Sequence, residues 1–179
     1  MPDADTLPAS GAGHDHAHCH DHDHCIRHAL DAAEALCAER GVRLTELRRR
    51  VLELVWQSHR PVGAYDLLAV LGAERRKAAP PTVYRALDFL MEQGLVHRIH
   101  SLIAFVGCPS AGEGHSAHFL ICADCGDAVE FEDDRIAGAL GSIGEGHGFS
   151  IRSQVIEVIG RCAGCRLRLE CAGRETVDA

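Results

Sequence analysis

The sequence predicts an α+β protein of two small domains, a winged helix followed by an α/β unit held together by zinc. Helical patterns dominate residues 26–94 and end in two short apolar runs, whereas strand-like patterns dominate after residue 117. Aromatic residues make up only 4% of the 179 residues, which leaves little material for one large core. Two small cores therefore fit this chain better than one.

Residues 1–25 form a low-complexity segment that carries five acids and no base. Histidine occupies every second position from His14 to His24, and cysteine occupies positions 19 and 25. Such a segment cannot bury a core, and its imidazole and thiolate side chains favour soft or borderline metal ions. We expect a disordered tail that holds extra metal loosely. A passive tail or an expression tag is the alternative.

Two helices are predicted directly after the tail. Residues 26–40 are rich in alanine and leucine and end at Gly41. Thr45 is placed to cap the second helix, because a threonine hydroxyl accepts a hydrogen bond from a backbone N–H of the first turn. The second helix has one apolar stripe, formed by Leu47, Val51, Leu54 and Val55.

Two further helices and a hairpin complete the first domain. A short helix is expected over residues 64–71, and Pro80 introduces another that ends at Gly94. The apolar runs at residues 95–99 and 102–106 are separated by two polar residues and predict a β-hairpin. Helices followed by a hairpin are typical of a winged helix, which we place at residues 26–108.

The second half begins after a small polar stretch, residues 109–117, which we interpret as a hinge. Strands are expected at residues 118–121, 128–131 and 155–159, with a helix near residues 134–143. We assign this second domain to residues 118–172 and a short tail to residues 173–179.

Two cysteine pairs share one spacing, Cys122-Ala-Asp-Cys125 and Cys162-Ala-Gly-Cys165. A Cys-x-x-Cys turn directs two sulfurs at one point, and two turns supply the closed tetrahedral set of a structural zinc. Disulfides are the alternative. Nine cysteines in a chain with no recognisable export signal favour metal or redox roles instead.

Charge is unevenly distributed along the chain, whose formal net charge is −8. Residues 1–25 sum to −5, residues 26–100 to +3 and residues 101–179 to −6. Only the middle segment could favour a polyanion, through the basic runs 48–50 and 75–77. A solvated helix face is the alternative for each run.

No segment has the apolar length needed to cross a bilayer, and the first ten residues carry acids and prolines instead of a basic start. We therefore expect a soluble, cytoplasmic protein with no membrane partner.

The helix over residues 81–93 has two distinct faces when its residues are placed 100° apart. The inward face holds Val83, Ala86, Leu87, Leu90 and Met91, and the outward face holds Tyr84, Arg85, Asp88 and Glu92. Tyr84 and Arg85 lie in the N-terminal turns, the part of a recognition helix that reaches base edges. An ordinary surface helix would show the same pattern.

Three segments carry a family resemblance: Pro-Pro-Thr-Val-Tyr-Arg-Ala-Leu-Asp-Phe-Leu at 80–90, Ile-Cys-Ala-Asp-Cys-Gly at 121–126 and Val-Ile-Glu-Val-Ile-Gly-Arg-Cys at 155–162. Over residues 28–172 the chain resembles the ferric uptake regulator family, and within it the zinc uptake regulator branch. The resemblance implies a homodimeric, metal-activated repressor of double-stranded operator DNA. The implied fold is a winged helix joined by a hinge to an α/β dimerisation domain.

The resemblance also implies DNA contacts for Tyr84 and Arg85, in agreement with their place on the outward face. It adds Tyr65, in Ala-Tyr-Asp-Leu-Leu, as a further contact. For Tyr65 the sequence offers no independent support, and a half-buried tyrosine is equally natural.

A closed four-thiolate site is needed for folding, so a sensor requires a second site. The residues outside the cysteine cluster that could bind metal are His97, His100, Cys108, His115, His118, Glu130 and His147. The resemblance selects His97, Cys108, His115 and Glu130, which flank the hinge. The chain would then bind one structural and one regulatory zinc.

The sulfur of Cys108 favours zinc, because iron or manganese is better served by oxygen and nitrogen alone. Relatives that sense iron or peroxide carry a further histidine where this chain has Gln154, so we expect no complete third site. His118 stays open as a neighbour of the second site. The alternatives are a regulator for iron or another metal, a zinc storage or delivery protein, and a zinc or thiol enzyme, for which no open catalytic setting is evident.

Overall fold

The structure is a computed structural model that describes residues 22–58, 60–74, 79–112 and 117–175, with side chains to residue 169. The predicted metal-binding tail lies outside these residues, except for its last four positions. None of the described helices is both long and apolar enough to cross a membrane.

Four helices form the first unit, as predicted: α1 (His22–Glu39), α2 (Glu46–Gln57), α3 (Ala64–Ala73) and α4 (Pro80–Glu92). One boundary differs, because α1 starts at His22, inside the segment that we assigned to the tail. The ring nitrogen Nε2 of His22 lies 3.3 Å from the carbonyl of Gln57, so the first turn of α1 contacts the end of α2.

Local sequence signals set the helix ends. Thr45 is the N-cap of α2, and its hydroxyl accepts a hydrogen bond from the backbone N–H of Arg48 at 3.4 Å. Gly94 follows α4 with a φ of +69°, and the N–H of Leu95 then donates to the carbonyl of Leu90 at 2.9 Å. This C-terminal cap turns the chain directly from α4 into the hairpin.

The first sheet contains β1 (Val62–Gly63), β2 (Val96–Ile99) and β3 (Ala104–Gly107) in the antiparallel order β1-β3-β2. The predicted hairpin is confirmed, and we call residues 95–108 the wing hairpin. Its β3 packs between the other two strands, and α1–α4 bury one apolar core against it. The largest fully buried side chains of that core are Leu52, Leu67, Leu71, Leu87, Leu90 and Leu95.

The second unit contains β4 (His118–Cys122), β5 (Ala128–Phe131), α5 (Asp134–Gly146), β6 (Ile156–Gly160) and α6 (Ala163–Glu175). Its sheet has the order β5-β4-β6, with β4 antiparallel to β5 and parallel to β6. The three strands and α5 were predicted. Helix α6 was not, and it runs three residues into the segment that we had assigned to the C-terminal tail.

A second, smaller core lies where the wing hairpin meets this sheet. Its buried members are Ile99, Ala117, Phe119 and Ile121, with Val106 and Ala128 packed against them. Ile99 and Val106 belong to the wing hairpin and the others to the second unit or its start. The two units therefore share an apolar contact, and the residues around that contact position the second candidate site.

Candidate metal centres and DNA-binding surface

Parallel pairing brings the two cysteine pairs together. Cys122 is the last residue of β4 and is paired with Gly160, the last residue of β6. Because the strands are parallel, the turns that follow them lie at the same edge of the sheet. Cys125 lies in the turn after β4, and Cys162 and Cys165 flank the start of α6. The fold thus joins two segments that are far apart in the chain.

The four sulfurs converge on one point. Their ligand atoms all lie within 4.8 Å of one another, and the Sγ atoms of Cys125 and Cys162 are 3.8 Å apart. Four sulfurs at about 2.3 Å from one zinc would lie roughly 3.8 Å from one another in a regular tetrahedron. The donor set and its spacing therefore fit a closed structural zinc, as the spacing of the cysteines predicted.

Hydrogen bonds outside the four sulfurs order the cluster. The N–H of Cys162 donates to Sγ of Cys122 at 3.3 Å, and the Arg168 guanidinium donates to Sγ of Cys165 at 2.7 Å. An ion pair between Asp124 and Arg161 joins the two turns. Such contacts orient metal ligands before the ion arrives.

Without metal, the cluster cannot hold four thiolates at once. Backbone N–H groups, first that of Cys162, lower the pKa of Cys122 to about 6. Burial and the neighbouring cysteines raise the pKa of Cys165 to about 12. A divalent ion offsets the repulsion of the gathered thiolates and releases their protons, so its affinity must rise with pH.

A second set of predicted ligands meets at the junction of the two units. Nε2 of His97, on β2, lies 3.4 Å from Oε1 of Glu130, on β5. Both side chains are largely buried, with 17% and 14% of their surface exposed. The His97 ring also meets the edge of Phe119 on β4, with centroids 5.9 Å apart. The two units thus bring an imidazole and a carboxylate together at one largely buried candidate site.

Cys108 lies near His97, but its sulfur does not form a tight three-ligand group with His97 and Glu130. Its N–H donates to the carbonyl of Leu95 at 3.0 Å, which continues the ladder of the wing hairpin and puts Cys108 on the same face as His97. The thiol is buried. Within the described ranges, only the four cysteines of the first site form a tight group of three or more ligand atoms. His115 lies outside the described residues.

His118 is separate from this pair. It precedes Phe119 in β4, and successive side chains of a strand point to opposite faces, so His118 faces away from His97 and Glu130. It is buried against the ring of Phe131, and in the described part of the chain its Nδ1 has no hydrogen-bond partner. His100 and His147 are exposed.

Helix α4 has the two faces that its sequence predicted. Val83, Ala86, Leu87 and Leu90 are buried, Met91 packs against the core, and Phe89 is buried in addition. All four residues of the outward face are exposed, and Tyr84 keeps 41% of its surface accessible. Tyr65, at the start of α3, is 73% exposed, which excludes the half-buried alternative.

The three arginines of the basic run at residues 48–50 all interact with other groups of the protein. Arg48 stacks on the Phe89 ring and donates to the carbonyl of Arg43, while Arg49 pairs with Glu34 of α1. Arg50 pairs with two carboxylates, those of Glu53 and Glu74. Because these guanidinium groups hold helices together, the run is a weaker candidate for DNA contact than its sequence indicated. The second basic run, residues 75–77, lies outside the described residues.

Comparisons with known proteins agree with this arrangement. The profile of the ferric uptake regulator family matches residues 39–159. The zinc uptake regulation protein of Escherichia coli (strain K12) is 41% identical over 137 residues, which cover 76% of this chain and 80% of that protein.

Two solved structures share the fold. One, described as a zinc uptake regulator complexed with zinc and DNA, is 38% identical with a TM-score of 0.76, and the match covers 82% of this chain and 97% of that one. The other, described as holo XcZur, is 45% identical with a TM-score of 0.71, and the match covers 77% and 96%.

Proposed function

Because this chain belongs to the ferric uptake regulator family, we propose that it is a zinc-responsive repressor that controls zinc-uptake genes. It binds double-stranded operator DNA as a homodimer when zinc occupies a regulatory site at the hinge. The observation that carries the proposal is the approach of His97 to Glu130, at 3.4 Å, across the junction between the two units.

The regulatory ion would be held by His97 and Cys108 from the wing hairpin, by His115 and by Glu130 from the second sheet. Thiolate, two imidazoles and one carboxylate form a tetrahedral set that suits zinc better than iron or manganese. Ligands from both units make the ion's affinity depend on how the winged helix is oriented. By linkage, zinc then favours the orientation that fits it best.

DNA recognition is assigned to the exposed face of α4. Arg85 can bond a guanine through two hydrogen bonds, and Tyr84 can contact a phosphate or a thymine methyl group. Tyr65, exposed at the start of α3, is a further contact. These roles are supported by exposure and by position in a winged helix.

The homodimer is supported by an apolar face of the second sheet. Leu120, Val129 and Val158 lie side by side in the strand register and are 50%, 50% and 46% exposed. Three adjacent apolar side chains on one face of a sheet are typical of an interface. A second copy of this face would bury them and set the spacing of two α4 helices on DNA.

Titration of free zinc tests the function directly. Bound zinc per chain and affinity for a zinc-importer promoter duplex should be measured together, and operator affinity should rise as the second zinc per chain binds. The same titration with iron(II) or manganese(II) separates a zinc regulator from a regulator for another metal. Zinc transfer to a partner without any change in DNA affinity would show a storage or delivery protein and contradict the proposal.

A further inference from the structure

The wing hairpin touches the second sheet at two carboxylates. Phe119 of β4 is paired with Glu130 on one side and with Glu157 on the other, so the three residues form one row across the sheet. Residues at matched positions of paired strands point to the same face. The two carboxylates therefore flank Phe119 on the face that meets the wing hairpin.

Glu157 holds the turn of the wing hairpin. Its Oε1 accepts the N–H of His100 at 2.6 Å, and its Oε2 accepts the N–H of Ser101 at 2.9 Å. Burial raises the pKa of Glu157, but the donors at Ser101 and His100 outweigh that effect and keep the pKa below its usual range. An ionised carboxylate that accepts two backbone N–H groups forms strong, directional hydrogen bonds.

The turn that Glu157 holds is strained. Ile103 has a φ of +52°, a conformation that a β-branched residue rarely adopts, and its N–H donates to the carbonyl of His100 at 3.2 Å. Such a conformation persists only where surrounding contacts determine it. The two hydrogen bonds to Glu157 are contacts of this kind, because they fix the residues at which the turn begins.

We propose that Glu157 is a positioning residue that fixes the far end of β2 on the second sheet, independently of metal. His97 and the turn lie at opposite ends of β2, so Glu130 and Glu157 hold the same strand at two points. Because Glu157 already fixes the turn, the winged helix has less freedom to move relative to the second sheet. An ion at His97 and Glu130 would then restrict only the movement that remains. This role rests on the proposed function and adds a metal-free contact to it.

Glu157→Ala removes both hydrogen bonds. At saturating zinc, the full-length variant should keep two zinc ions per chain and the dimer, and its melting temperature should fall by only a few degrees, because two hydrogen bonds are lost. Its affinity for a zinc-importer promoter duplex should fall about ten-fold, and its affinity for the second zinc should fall in step, because coupling between two ligands is reciprocal. Glu157→Gln keeps one good acceptor and should lie between the wild type and the alanine variant. Glu145→Ala, at an exposed position of α5, is the matched control and should change neither affinity.

A double-mutant cycle tests whether Glu157 acts without the regulatory zinc, and the melting temperature reports a general loss of stability. If Glu157 fixes the orientation without metal, Glu157→Ala should lower the remaining operator affinity of a protein that already carries Cys108→Ser. No further loss in that background, or a melting temperature lowered by more than a few degrees in the glutamine variant, would overturn the proposal. So would wild-type operator affinity in Glu157→Ala, provided that the wild type responds to zinc. If the wild type itself shows no zinc-dependent DNA binding, the proposed function fails first.

Discussion

The two candidate metal centres differ in where their ligands come from. All four cysteines belong to one unit and lie within 4.8 Å of one another. The proposed regulatory ligands come from both units, and their clearest contact is a single imidazole–carboxylate approach of 3.4 Å. Both candidate sites offer side chains that zinc accepts, so ligand chemistry alone does not show which site is structural and which is regulatory.

The roles of the two sites differ in which parts of the protein a bound ion would connect. An ion among the cysteines joins the turns after β4 and β6, which pairing of the strands already brings together, so its binding free energy stabilises the fold. An ion at the junction would join two units that meet through a small shared core, so its binding free energy would depend on their relative orientation. On the proposed assignment, the first site would determine whether the second unit folds, and the second site would determine how the winged helix is oriented towards DNA.

The largest effect is expected at the cysteine cluster. Cys125→Ser removes one of four thiolates, and structural zinc sites of this kind contribute about 10 to 16 kcal/mol of apparent binding free energy. Since a small domain is stable by only about 5 to 15 kcal/mol, the second unit should unfold and the dimer should be lost. Zinc content and thermal unfolding, measured on the purified protein, check this.

Cys108→Ser is the matched control, because it makes the same chemical change at the other site. If Cys125→Ser keeps its zinc, its dimer and its melting curve, the cysteine cluster is not the structural zinc site.

Cys108→Ser itself should uncouple zinc from DNA without unfolding the protein. We expect the variant to retain the four-cysteine zinc and the dimer, to lose about one zinc per chain, and to bind operator weakly at every zinc concentration. Metal analysis, ultracentrifugation and fluorescence anisotropy on one preparation measure the three properties. A fully zinc-responsive variant would move the sensing site elsewhere, first to His118 or His100.

His97→Ala sharpens the same test. Because His97 and Cys108 would hold one ion, each single substitution should abolish the same response, and the double variant should bind operator hardly more weakly than either. Strictly additive losses of binding free energy would show that the two residues act at different places.

Local signals allowed most of the fold to be predicted. Thr45, Gly41 and Gly94 mark helix ends through their own backbone and side-chain chemistry, so the positions of α2 and α4 were correct. The start of α1 and the existence of α6 were missed. Both lie in segments dominated by metal-binding or polar residues, where apolar periodicity is weak and tertiary contacts decide.

The candidate sites were predictable to different degrees. The cysteine cluster follows from two repeated pairs, because each pair fixes its own geometry. The approach of His97 to Glu130 depended on family resemblance, since no local pattern relates a residue of β2 to a residue of β5. Glu157 was not identified at all. Its partners are the backbone N–H groups of His100 and Ser101. Every residue except proline has such a donor, so no sequence pattern indicates this contact.

A smaller effect is expected on the exposed face of α4. Arg85→Ala should cost about 1 to 3 kcal/mol of operator binding and hardly change binding to unrelated DNA, because a side chain that reads a base contributes mainly to discrimination. Competition between specific and random duplexes at fixed salt measures both. Arg152→Ala, at an exposed position of the second unit, is the control. If operator binding by Arg85→Ala equals that of the wild type, another surface recognises the operator.

The smallest effect is expected from the histidine-rich segment. Since α1 begins at His22 and its first buried residue is Ile26, the truncation should remove residues 1–21 and leave the helix intact. The removed segment carries acids and no base, so it cannot attract DNA, and its histidines can hold metal outside both folded sites. Loosely held zinc should fall, while zinc-dependent operator affinity should stay within a few-fold of the full-length protein. Equilibrium dialysis against a zinc buffer and the same anisotropy assay measure the two quantities. Complete loss of operator binding by the truncated protein would assign the segment to the regulatory machinery itself.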